Sequence, residues 1–81
     1  MTVYHPGEYL MDELLARSMT LHELSIKANL PIETLANLVN QASSIDALTA
    51  EGLARALGTS MQLWINLQAT YEREQAFRHG S

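Results

Sequence analysis

Cysteine is absent from the chain, which excludes a disulfide framework and any thiolate metal site and makes a reducing cytoplasm the expected compartment. Long apolar runs are missing too. Each ends within a few residues at a polar one, so the sequence offers neither a membrane span nor the apolar segment of a signal peptide. Cations are scarce: five Lys and Arg stand against nine Asp and Glu, a formal charge of −4 with a pI near 5.1. DNA affinity rests heavily on cations that neutralise phosphates and release counterions, so this balance opposes a nucleic-acid partner unless the few positive groups are concentrated.

The constellations that carry catalysis are also missing. His22-Glu23 begins like a zincin helix, but position 26 is Ile, so the second ligand one turn on is lost and the metal site with it. The serines stand without a nucleophile elbow. His5 and His79 lie at opposite ends of the chain, where a surface or capping role suits each better than metal binding. The expectation is a protein that is not an enzyme, with no cofactor, no metal and no small-molecule substrate.

What is present is apolar residues at 47% of the 81, with 17% charged. That composition excludes a disordered polyampholyte and fits one domain over residues 1–81, able to bury about 60% of its unfolded surface, with apolar area to spare for an oligomer. Periodicity reads as helix almost throughout, at spacings of three and four. Five helices are expected, over about 8–17, 21–28, 32–40, 50–57 and 61–78.

The first follows His5-Pro6-Gly7 and carries Leu10, Met11, Leu14 and Leu15 as two adjacent rows. The second opens at Thr20, with Glu23 at the capping-box spacing, and buries Leu21, Leu24 and Ala28. Asn29 tolerates the left-handed conformation a sharp turn needs, which gives a bend of about three residues. The third helix starts near Pro31, turns Leu35, Leu38 and Val39 inward, and leaves Glu33, Ala36, Asn37 and Asn40 on the other side.

A loop over 42–48 follows, with Ile45 as its anchor. Thr49 is the expected cap of the fourth helix, whose Leu53, Ala54 and Leu57 face the core and which Gly58 closes. Thr59 and Ser60 both suit the cap of the fifth, and Thr59 with Gln62 has capping-box spacing. Leu63, Trp64, Leu67 and Tyr71 form its core face; the aromatic pair shares that face with leucines, which favours packing over a stacking platform for bases. Met61, Ile65, Ala69 and Ala76 make a second stripe, either the flank of a wide core or a contact between two copies.

Two segments, His5-Pro6-Gly7-Glu8 and Ala56-Leu57-Gly58-Thr59-Ser60 running into Leu63-Trp64-Ile65-Asn66-Leu67-Gln68, resemble the HigA family of antitoxins, XRE/Cro-like helix-turn-helix proteins of toxin–antitoxin modules. The similarity spans roughly residues 5 to 77. It implies an all-α, lambda-repressor-like helix-turn-helix domain that forms a homodimer. It further implies a RelE/HigB-like ribonuclease toxin as partner and repression of its own operon through operator DNA. A symmetric dimer through Met61, Ile65 and Ala69 would set two reading helices about one DNA turn apart.

The departures fall where the function would be. Members of that family carry Arg, Lys or polar residues along the third helix, then a Gly and a basic pair in the next loop; here the stretch from Pro31 to Ser44 holds no cation. The DNA-facing set is therefore Ile32, Glu33, Thr34, Asn37, Asn40, Gln41, Ser43 and Ser44, working through amides and hydroxyls. Asn37 suits an adenine, Glu33 a cytosine amino group, and Asn40, Gln41, Ser43 and Ser44 suit phosphates. A rival reading keeps the antitoxin scaffold but lets the DNA contacts lapse, since an acidic surface steers a basic ribonuclease and hinders an operator.

Overall fold

The structure, a computed structural model, describes residues 5–80, with side chains through residue 76. Among these are five helices and no strand: α1 (Pro6–Arg17), α2 (Leu21–Ala28), α3 (Ile32–Val39), α4 (Ala47–Leu57) and α5 (Met61–Gly80). Every helix contributes to one apolar core. Leu10 and Leu14 come from α1, Leu24 and Ala28 from α2, Leu35 and Leu38 from α3, Ala50, Leu53 and Leu57 from α4, and Trp64 from α5, with Ile45 inserted from the loop. Each such leucine withdrawn from water stabilises the fold by roughly 1.5–3 kcal/mol before its ordering entropy is counted.

The helix boundaries follow from local chemistry. At the start of α2 the Thr20 hydroxyl accepts from the Glu23 amide at 3.1 Å while the Glu23 carboxylate accepts from the Thr20 amide at 3.0 Å, a reciprocal pair that satisfies two amides the helix cannot. α2 then ends on Asn29 at φ 56°, with the Leu30 amide reaching back to Ser25 and the Asn29 amide to Ile26. That closure lets α3 start only three residues later. Gly58, at φ +70°, closes α4 in the same left-handed conformation.

Two further left-handed closures were not legible in the sequence: Ser18 ends α1 at φ 53° and Gln41 follows α3 at φ 61°. In each, the amide of that residue and the amide after it donate to carbonyls of the last turn, Ser18 to Leu15 and Met19 to Leu14, Gln41 to Leu38 and Ala42 to Asn37. A non-glycine residue there costs about 1 kcal/mol or more, offset by those bonds.

α4 and the outer row of α1 depart from expectation, and α5 resolves between its two candidate caps. α4 begins at Ala47, and its cap is Asp46, whose carboxylate accepts from the Thr49 amide at 2.8 Å; Thr49 is the third residue of the helix and buried. α5 is capped by Ser60, which accepts from the Leu63 amide at 3.0 Å. Thr59 instead accepts from the Trp64 indole N–H at 2.8 Å. The second row of α1 faces water, with Leu15 71% exposed and Met11 39%, because α3 and α5 pack against α1 and Leu10 and Leu14 suffice to cover those contacts.

His5 is buried rather than at the surface. Its Nδ1 accepts from the Gly7 amide at 2.9 Å, which makes it the cap of α1. Its ring meets Tyr71 of α5 edge-on, with centroids 4.6 Å apart, and it hydrogen-bonds to the backbone of Ser43. Burial holds the imidazole below its ordinary value of 6.5, against the opposing pull of Glu8 and the Ser43 backbone. The side chain of His79 lies outside the described residues.

Candidate nucleic-acid interface

α3 is amphipathic by construction. Leu35 and Leu38 lie three apart and are fully enclosed, which forces the positions between and beyond them outward. Ile32, Glu33, Asn37 and Asn40 are exposed, Thr34 and Ala36 half-buried. Glu33, Asn37 and Asn40 fall at spacings of four and three, so their side chains form a short polar ridge along one side of the helix. No side chain caps α3, and Glu33 sits in its first turn, where the helix dipole favours a carboxylate.

The turn and the loop hold this ridge in place from either end. Asn29 sets the angle between α2 and α3. Beyond α3, the Ile45 amide donates to the buried Gln68 carbonyl oxygen at 2.9 Å, fastening the loop to α5. Gln68 lies outside the core expected from sequence; its place one turn after Trp64 is the available signal, but nothing local shows that a backbone amide needs it. Ser44 is exposed and Ser43 half-buried, so the two loop serines are placed unequally for a ligand.

Gln41 departs further from its expected role. Its amide nitrogen donates to the Glu8 carboxylate at 3.0 Å, so the side chain is turned toward α1 instead of standing clear as a phosphate donor. The bond is exposed and gives way at small cost.

Cations are placed elsewhere. Arg17 pairs with Glu13 at 3.7 Å within α1. Arg55 pairs with Glu51 at 3.4 Å and donates to the Ala28 carbonyl at 3.2 Å, closing the end of α2. Lys27 lies in the last turn of α2 and Arg73 on α5, both exposed. The ridge thus carries two amides and one carboxylate, with the hydroxyls of Thr34, Ser43 and Ser44 outside it, chemistry that reads base edges and makes few phosphate contacts.

Trp64 is fully buried and meets Tyr9 edge-on at 5.4 Å, which removes it as a stacking platform. The other α5 stripe faces outward: Met61 and Ile65 are each 36% exposed and Ala69 and Ala76 are exposed, so it is not part of this chain's core. Among the described residues no helix is long and apolar enough to cross a membrane.

No family model matches the chain. Known proteins do. Virulence-associated protein I of Dichelobacter nodosus is 31% identical over 77 residues, which cover 94% of this chain and 71% of that protein. An addiction module antidote protein of the HigA family from Coxiella burnetii superposes with a TM-score of 0.91 at 35% identity, covering 98% of this chain and 87% of that one. The antitoxin HigA of Pseudomonas aeruginosa, solved with its higBA promoter, gives a TM-score of 0.90 at 32% identity over 96% and 86% of the two chains. Five helices about one core, a left-handed bend ahead of an outward polar helix, and likeness along nearly the whole chain lead to one assignment: this chain belongs to the HigA family of helix-turn-helix antitoxins.

Proposed function

We propose that the chain is an antitoxin that represses its own operon, binding operator DNA as a homodimer and neutralising a RelE/HigB-like toxin. The observation that carries the DNA part is the outward ridge Glu33, Asn37 and Asn40 on a helix whose inner side packs in the core and whose direction is set by the Asn29 bend. The Pseudomonas relative captured with its promoter supports it. Ile32, Glu33 and Asn37 meet base edges; Asn40, Ser43 and Ser44, with Thr34 at the edge of the surface, take phosphates; Gln41 joins them once released from Glu8.

Two copies meet through Met61, Ile65 and Ala69 of α5, which stay exposed along one side of that helix. Net charge of −4 steers a basic ribonuclease toward the complex. Reduced phosphate contact gives operator binding a shallow salt slope, below that of proteins making roughly six to ten phosphate contacts.

Gel shifts of the DNA upstream of the reading frame across a salt series test this. Specific binding with a shallow slope, weakened by Asn37→Ala more than nonspecific binding is, supports the reading. A steep slope contradicts the assignment of the ridge. The cation-free α3 also favours a second reading, a toxin-binding module whose DNA contacts have lapsed; absence of binding at low salt, with toxin neutralisation intact, selects it.

A further inference from the structure

α3 exposes one large apolar side chain beside the polar residues of the reading surface. Leu35 and Leu38 are fully buried, yet Ile32, the first residue of the helix, remains 45% exposed. It stands at the N-terminal end, the part of a reading helix that reaches base edges. Its branched Cβ restricts χ1, so the aliphatic surface it presents is nearly fixed.

The neighbouring chemistry narrows what that surface can meet. No residue from Pro31 to Ser44 carries a cation, so the paired acceptors of guanine have no bidentate donor. Glu33, next in the chain and exposed, repels the acceptor groups of guanine and accepts only from an exocyclic amine. In the major groove a single base group is apolar, the 5-methyl of thymine. We propose that Ile32 is a specificity-determining residue that packs against a thymine 5-methyl group in each operator half-site, an inference that rests on the DNA-binding reading above.

The test removes the methyl without altering the hydrogen-bond pattern. A duplex selected by the intact chain from a randomised library is resynthesised with each thymine replaced in turn by deoxyuracil. One thymine per half-site is expected to weaken binding about fourfold, the value of one buried methyl-sized group. Ile32→Ala should weaken the unmodified duplex and lose its sensitivity at that position, whereas Ile32→Val should retain it; both variants are expected to melt like the parent, as the side chain is only half-covered. A selected duplex indifferent to every replacement, or an Ile32→Ala chain with the parent's sensitivity, overturns the inference alone. A chain that selects no duplex overturns the DNA-binding reading and the inference with it.

Discussion

Gln68 and Ile45 are joined across 23 residues by a buried hydrogen bond of 2.9 Å, from the Ile45 amide to the Gln68 side-chain oxygen. The same side chain donates to Glu72 at 3.1 Å, which fixes which end of the amide faces the loop. The loop after α3 is thereby part of the folded unit and not a free connector. Gln68→Leu fills similar space but leaves the Ile45 amide buried without a partner, a loss of about 1–3 kcal/mol. Urea unfolding should show a lower midpoint at unchanged slope; an unchanged midpoint would mean the loop is held by Ile45 packing alone.

Thr59 accepts the Trp64 ring N–H at 2.8 Å, five residues along the chain. Thr59→Val keeps the shape and removes the acceptor, and should destabilise by about 1–3 kcal/mol. Thr59→Ser should restore most of it. If the residue acted as a helix cap instead, serine and valine would be separated by helicity at the start of α5 and the tryptophan spectrum would not move.

Gly7 lies against the end of α3. A Cβ built there overlaps the Leu38 backbone carbonyl, and backbone cannot swing aside as a side-chain tip does. Gly7→Ala should therefore cost about 1–3 kcal/mol, the usual penalty of forced overpacking, despite alanine's better helix propensity. Thermal melts decide it, and a stabilised variant would show that α1 can shift without loss.

His5 makes stability depend on pH. Its folded-state pKa lies below 6.5 because burial disfavours the cation, and protonation removes the lone pair that accepts from Gly7. The unfolded chain therefore binds the proton more readily, so stability from this group is present above about pH 6.5 and falls as pH drops through the folded value. Unfolding free energy measured from pH 7.5 down to 5 should decline, and His5→Asn, which keeps a capping acceptor, should flatten that decline. Asp46 and Glu23, both held below their ordinary values by hydrogen bonds from Thr49 and Thr20, act only at lower pH. An equal decline in His5→Asn would assign the effect to other groups.

Local signals were the legible ones. Thr20 with Glu23, Asn29 and Gly58 each act on amides or carbonyls within a few residues, so their roles follow from spacing. Asp46, three before Thr49, carries the same kind of signal, and its carboxylate caps the Thr49 amide. Ser18 and Gln41 gave none, since neither residue type prefers the left-handed region their turns impose. On the candidate surface, Glu33, Asn37 and Asn40 could be placed outward once Leu35 and Leu38 were inward; the Gln41–Glu8 bond could not, as its partners are 33 residues apart.

By itself the sequence determined the helices, the Thr20 cap, the closures at Asn29 and Gly58 and the turn between α2 and α3, because apolar periodicity and capping act through neighbours along the chain. Tertiary structure alone decided which of two apolar rows on α1 meets the core, that His5 is enclosed, and that Gln68 and Thr59 serve a distant amide and an indole. Those outcomes depend on which helix packs where, and a buried donor's need for a partner exists only once packing has removed water from it.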